Sequence, residues 1–499
     1  MFNRYFLTLT ILGLFGFKLQ IYGQSFEIET TFEKYFTRFA EFINDLDDPN
    51  EEDHQQSFES DLLRFETELN RTKVWLTVAS AVDVSKANLI RRNFIVRAIE
   101  IHWRRPTTPS RNDFIAILRV NDSRQIRRYP LIDPKTNQTL SHYLKTDLEF
   151  DYQNLPDLDN GLQEFCLQYF VIYMNDRGET EAINCVRMQS RWMQKLLDLI
   201  ENRTLSELMI PGTHDASSFT KYNYFDYTFD VIHRFQYTQD ESIYNQLAYG
   251  IRYLDFRVAV YNQTNRSHPF PWRLYEEFWM VHDIQKNSIK LSEALEQVRK
   301  FIVRTTHEIV IVDFHRFVHG FNKIRDLNAI RRRLKQFIRL VYQHLGPYLI
   351  PFNETGLPTI GEILRQGKRV LIGYAYKFDD RSLPDSDLFW PPVTHLWANT
   401  DRLVELESYI KREICKGDRS YPNGHHLRSV MGELTPKVEG VIFRRYHGLR
   451  ELAALVNIHY NDWFRYRWWN CSNIVAADFF LGSDLVDISI DVNRRRFQF

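Results

Sequence analysis

The sequence predicts an α/β chain in two parts: a C-terminal (β/α) barrel of TIM type, preceded by an N-terminal all-β sandwich of immunoglobulin type. Three observations carry that expectation. The chain has 499 residues, more than one compact core accommodates, so at least two domains are expected. Between residues 73 and 190, short runs of period two are separated by loops rich in Pro, Asn, Asp and Ser, with no helical pattern among them. From 191 to 499, short apolar runs alternate with longer stretches of helical period, the size and texture of a barrel.

The elements follow in chain order. Residues 1–23 read as a secretory signal. Asn3 and Arg4 open it, 6–17 are apolar, Lys18 closes the run, and Gly23 precedes the expected cut. The apolar run is too short to span a bilayer; a signal anchor is the competing reading. Residues 24–72 read as helix, acidic linker and helix. Phe32, Tyr35, Phe36, Phe39, Phe42 and Ile43 recur at helical spacing, and 45–53 is a run of Asp and Glu broken by Leu, Pro and Asn, a solvated linker. Strands of the sandwich (73–190) are expected at 74–78, 94–103, 114–120 and 166–173. A helical connector, 192–202, leads into the barrel domain (191–499). Its expected strands are 208–210, 253–260, 279–281, 309–314, 370–374 and 474–480, and its expected helices 291–303, 327–345 and 449–464.

Composition narrows the compartment and the partners. The chain is 44% hydrophobic and 26% charged, which excludes wholesale disorder, and its net charge is zero. Nothing global therefore points to nucleic acid as a partner. Four cysteines are an even number suited to an oxidising compartment. Cys166 and Cys185 flank the turn Asn175-Asp176-Arg177-Gly178, so a bridge across that hairpin is the simplest pairing; it leaves Cys415 with Cys471, one of three connectivities. Eight Asn-x-Ser/Thr sequons, at Asn70, Asn121, Asn137, Asn202, Asn262, Asn265, Asn353 and Asn470, beside a leader predict a secreted glycoprotein.

The chemistry collects at strand ends. Apolar 208–210 leads through Pro211-Gly212-Thr213 to His214-Asp215. Asp255 and Arg257 stand two apart, on one face of a strand. Trp279-Met280-Val281 ends in His282-Asp283, and 474–477 ends in Asp478. In a barrel these ends ring one mouth. A lone histidine at a strand end is ordinarily structural, and an Asp/Arg pair can be a plain ion pair; two His-Asp dipeptides after two apolar strands favour a site. His and Asp are competent metal ligands, but Arg257 stands where a cation's charge would sit. No nucleophile elbow, phosphate-binding loop or dinucleotide fingerprint is present.

The ordered set LMIPGTHDASSF, GIRYLDFRV, WMVHD and EIVIVDFHRF resembles the X domain of phosphatidylinositol-specific phospholipases C, above all the metal-independent bacterial enzymes and the animal X-domain-containing proteins. The resemblance covers roughly 204–487 and leaves the sandwich out. It implies a phosphodiesterase with His214 as general base, His282 as general acid and Arg257 on the phosphoryl oxygens. It implies Asp215 and Asp255 as orienting carboxylates and Asp478 as the partner of His214, with no cofactor and no calcium. Where the bacterial enzymes carry an inositol-contacting lysine, this chain has His315 and Arg316; these and Tyr374 are the candidate substrate-binding residues. The implied partner is a phospholipid or another phosphodiester. Peripheral membrane contact stays open: Trp463-Phe464-Arg465-Tyr466-Arg467-Trp468-Trp469 suits a lipid interface, and suits core packing better. The rival reading is a binding or scaffold protein that kept the X-domain fold without turnover.

Overall fold

The computed structural model describes residues 19–21, 24–26, 71–82, 97–133, 135–136, 138–151, 162, 164–219, 231–264, 274–283, 285–321, 327–375, 388–416, 427–443 and 445–498. The chain divides into two compact units, Met1–Leu69 and Asn70–Phe499. Of the first, an antiparallel pair, Leu19–Ile21 with Gln24–Phe26, is described. The rest of the expected signal and the helix–linker–helix segment lie outside the described residues.

The second unit begins with two antiparallel sheets. One holds β1 (Lys73–Val78), β2 (Ala98–Arg104) and β5 (Tyr143–Glu149) in the order β1-β2-β5. The other holds β3 (Phe114–Arg119), β4 (Gln125–Pro130), β6 (Cys166–Met174) and β7 (Thr180–Arg187) in the order β4-β3-β6-β7. Val74, Leu76, Ile99, Ile101, Ile115, Ile117 and Val171 bury their side chains in one core. β6 and β7 turn at 175–178, where Gly178 adopts φ +77°, a conformation a Cβ disfavours. Cys166 bonds Cys185 across this hairpin, and Cys415 bonds Cys471, the preferred pairing. The expected sequence run at 166–173 is β6, but β4 and β5 were not foreseen. Their faces are mostly solvated, with buried residues too sparse to show a period.

Seven parallel strands form the second sheet system: β8 (Ile210–Thr213), β9 (Tyr253–Thr264), β12 (Val310–Phe317), β13 (Val370–Tyr374), β14 (Thr394–Trp397), β15 (Arg428–Met431) and β16 (Ile474–Ala477). Their order is β13-β12-β9-β8-β16-β15-β14. The sheet curls so far that the segment entering β14 meets β13: Trp390 donates to the Ile372 carbonyl at 2.8 Å and accepts from Tyr374 at 3.0 Å. The result is a mixed α/β fold built on a curled sheet. Helices α1 (Ile243–Tyr249), α2 (Leu291–Arg304), α3 (Leu327–Leu345), α4 (Leu403–Glu413), α5 (Val438–Ile442), α6 (Leu449–Asp462) and α7 (Leu485–Phe497) accompany it. Helix α3 shows why the periodic reading succeeds. Ile330, Leu334, Phe337, Ile338, Val341 and Leu345 recur on one face and are buried, each contributing about 1.5–3 kcal/mol.

Two expectations about strands are corrected. The strand before His214 does not end at a Pro-Gly break at 210; Pro211 and Gly212 lie inside β8, paired to Val475 and Ala476. Backbone pairing continues because Pro211 offers its carbonyl, which accepts from Arg252, and the proline position needs no donor. The strand carrying His282 is not one of the parallel set. β9 runs twelve residues, beyond the ring, and β10 (Leu274–His282) returns antiparallel along it, followed by β11 (Gln285–Lys290). The hairpin brings His282 back to the mouth from outside.

Candidate active site

Four elements deliver the expected residues to one place. His214 leaves the end of β8 and Asp478 the end of the adjacent β16; the imidazole Nδ1 lies 2.8 Å from Asp478 Oδ1. Arg257, on β9, places Nη2 2.6 Å from His214 Nε2 and 3.4 Å from Asp255 Oδ2. Its Nη1 lies 3.7 Å from Asp215 and 3.5 Å from Asp283. His282 stands edge-on to His214, ring centroids 6.0 Å apart, with Nδ1 2.5 Å from the Gln236 carbonyl. All six predicted catalytic side chains are buried.

The backbone holds them under strain. Asp215, Asp283 and Phe479 adopt φ of +36°, +51° and +46°, each directly after His214, His282 or Asp478. Left-handed conformations at non-glycine residues are costly and cluster where geometry is over-determined. Gln239 secures the turn by donating to the carbonyls of His214 and Ala477 at 3.1 and 2.8 Å.

The hydrogen bonds fix the tautomers. Arg257 can only donate, so Nε2 of His214 accepts and Nδ1–H donates to Asp478; His282 donates its Nδ1–H to Gln236, leaving Nε2 to face the site. The electrostatics divide the pair. Burial opposes protonation of His214, but the Glu433 and Asp478 carboxylates outweigh it and push the ring up to about 10. Burial and the charges of Arg257 and His214 push His282 down to about 4. The Arg257 contact and the raised proton affinity of His214 oppose each other: the ring takes a proton at Nε2 only when Arg257 lets go, as an arriving anion would make it do. The carboxyls divide too. Burial lifts Asp215 to about 7, while Asp255, against its burial, is held well below the usual range by Arg257. The histidine shifts run opposite to the roles the resemblance implies, since His214, the expected base, holds a proton more tightly than His282, the expected acid.

Glu433 escaped the sequence reading. It follows β15, is buried, lies 3.8 Å from His214 Nε2, and burial raises it to about 7. The signal was weak: β15 is four residues long and reads as no more than Arg-Ser-Val-Met. Asp313 and His395 were missed likewise. His315 lies beside them, its Nδ1 3.2 Å from Asp313, and not in direct contact with Arg257 or either catalytic histidine among the contacts described. Arg316 is half-exposed, 3.5 Å from Asp283. Tyr374 packs among Phe317, Phe337 and Phe389 at the end of β13. The aromatic run 463–469 is core: Trp463, Phe464, Tyr466, Trp468 and Trp469 are buried. A polar cavity of 460 Å³, lined by Trp75, Arg187, Arg465, Asp484, Asp487 and Asp491 among others, contains none of the predicted catalytic residues.

PI-PLC X domain-containing protein 1 of Homo sapiens is 21% identical over 336 residues, 63% of this chain and 95% of its own length. PI-PLC X domain-containing protein 3 of Mus musculus is 26% identical over 330 residues, 60% of this chain and 92% of its own length. The chain is related to the PI-PLC X-domain family. No protein-family model matches it. Among solved structures, the phosphatidylinositol-specific phospholipase C of Staphylococcus aureus aligns at 16% identity, covering 61% of this chain and 97% of that one, with a TM-score of 0.43. The Listeria monocytogenes enzyme aligns at 19% identity over 61% and 98%, with a TM-score of 0.42. The X-domain relatives match somewhat more than half of the chain, so a substantial part lies outside the likeness.

Proposed function

We propose that this X-domain relative is a secreted phosphoric diester hydrolase of the phospholipase C kind, acting on a phosphatidylinositol-type lipid without calcium. The observation that carries the reading is the buried pair His214 and His282, ring centroids 6.0 Å apart, with Arg257 against His214. An incoming phosphodiester anion draws Arg257 to its phosphoryl oxygens. His214 Nε2, released, takes the proton of the inositol 2-hydroxyl, whose oxygen attacks phosphorus. His282 protonates the leaving glycerol oxygen, and a cyclic phosphodiester results. Asp478 holds the base in its tautomer, and Asp215 and Asp255 orient Arg257. A guanidinium is a permanent, two-pronged charge, so the proposed chemistry needs no cation at that place. Arg316, 3.5 Å from Asp283, is proposed to face the head group.

Two features support peripheral contact with a lipid surface and export. Val438, Ile442 and Phe443 are 75%, 70% and 70% exposed, at and just beyond α5, on the segment that follows Glu433. Asn121, Asn202, Asn262, Asn353 and Asn470 are all exposed, as glycan acceptors must be; Asn70, Asn137 and Asn265 lie outside the described residues. The three- and four-stranded antiparallel sheets, with interleaved strand order, support the immunoglobulin-type reading of 73–190. The test is turnover of purified protein on phosphatidylinositol, glycosylphosphatidylinositol and unrelated phosphodiesters, with and without chelator. Chelator-resistant cleavage of the inositol lipids is expected. Full loss with EDTA, restored by calcium, would overturn the role given to Arg257, and a folded protein inert on all substrates would favour the scaffold reading.

A further inference from the structure

We propose that Asp313, His315 and His395 form a binding site for one transition-metal dication of the zinc class, separate from the Arg257 cluster. Asp313 and His315 stand two apart on β12, and His395 comes from β14. Their donor atoms lie within 4.8 Å of one another, the one such set of three among the described residues. Asp313 Oδ2 is 3.2 Å from His315 Nδ1 and 3.4 Å from His395 Nε2. A tetrahedral ion with ligand bonds of about 2.0–2.1 Å has donor–donor edges of about 3.3 Å, so both separations fit a shared ion.

The surroundings are built around the carboxylate. Asp313 is wholly buried, and its other oxygen, Oδ1, accepts from the Val393 backbone N–H at 3.3 Å. The Tyr253 hydroxyl lies 3.1 Å from Oδ2. Gly373, opposite in β13, leaves the room: a Cβ there would stand 2.3 Å from Oδ1. Such outer partners orient a ligating carboxylate. The His315 and His395 side chains are 24% and 12% exposed, so the set is not sealed from solvent. Two imidazole nitrogens with one carboxylate select zinc, cobalt or nickel over calcium and magnesium, which take oxygen donors.

Binding requires one rearrangement. The two rings now lie parallel, centroids 3.4 Å apart at 6°, and His395 Nε2 meets the Tyr253 hydroxyl at 2.8 Å. Imidazoles sharing a tetrahedral ion diverge from it, so the ion would part the rings and replace the Tyr253 contact, while Tyr253 keeps Asp313.

The test uses untagged, full-length protein stripped with chelator and dialysed. Titration with Co²⁺ is followed by visible absorption, and titration with Zn²⁺ by calorimetry. One ion per chain with the intense bands of tetrahedral cobalt is expected. His315→Gln and His395→Gln should each weaken binding by more than about 100-fold, at unchanged melting temperature of the metal-free protein, while His344→Gln leaves it intact. Absence of tetrahedral bands in the wild type, or unchanged bands in both His315→Gln and His395→Gln, would overturn the site. The wild-type titration stands even where a variant fails to fold. Binding is read without substrate, so its failure is distinguishable from failure of the phosphodiesterase reading.

Discussion

Two of the buried arginine–carboxylate clusters among the described residues are finished differently. In the first, Arg97 at the start of β2 and Arg450 on α6 close around Asp240. Arg97 Nη1 meets Asp240 Oδ2 at 2.5 Å, its Nε and Nη2 donate to the carbonyls of Ala79 and Val78 at 2.6 Å, and Arg450 takes both carboxylate oxygens. In the second, Arg257 faces Asp215 and Asp255 at 3.4–3.7 Å. There Asp215 Oδ2, Asp255 Oδ1, Arg257 Nε and Glu433 Oε2 have no hydrogen-bond partner among the described residues. Unsatisfied buried polar atoms are expensive and rare. The first cluster ties the first sheet pair to the 236–241 segment that contacts both histidine-bearing turns; the second leaves more of its polar atoms without a hydrogen-bond partner among the described residues. Burial of charge alone therefore does not distinguish the two; the Arg257 cluster differs in standing beside two histidines.

The comparison breaks most readily in the open cluster. His214→Ala and His282→Ala should each lower turnover by about 10²–10⁴-fold, the scale of a lost general acid or base, with the denaturant midpoint nearly unmoved. Wild-type rates in either variant would remove that residue from the mechanism. The closed cluster should show the opposite pattern. Asp240→Asn leaves Arg97 and Arg450 facing each other with a carboxylate removed, and should cost about 3–5 kcal/mol of stability in chemical denaturation. Asp215→Asn should cost less, because burial already pushes that carboxyl toward its neutral form. The reverse ranking would mean that the Arg257 cluster, not the Arg97 cluster, holds the fold.

A smaller effect sharpens the electrostatics. The productive state carries one proton over the two histidines, on His282 and not on the more basic His214. Below about 4 both rings are charged and no base remains; above about 10 both are neutral and no acid remains. The pH profile of kcat/KM should thus be a broad plateau, and a narrow bell centred at the ordinary histidine value would contradict the opposite shifts.

Much of this was legible in the sequence because strong periods and short motifs survive tertiary context. Helix α3 and strand β13 lie where the pattern put them, and the disulfides follow from Cys166 and Cys185 flanking one turn. His214, Asp255, Arg257 and Asp478 converge as the parallel strand ends predict. His282 converges for another reason: its strand is the return arm of an overlong hairpin, and pairing direction leaves no trace in a nine-residue run. Glu433 and His395 were hidden because β14 and β15 are four residues each, too short to show a period. Arg97 and Arg450 lie 353 positions apart, and no local signal joins them through Asp240.

The most direct measurement is phosphorus NMR of the products that the wild-type protein releases from phosphatidylinositol in the presence of chelator. A five-membered cyclic phosphodiester appearing first, ahead of any acyclic monoester, is the result expected if His214 takes the proton of a neighbouring hydroxyl and Arg257 bears the phosphoryl charge. An acyclic phosphomonoester as the first product, or no cleavage by folded protein, would contradict the account.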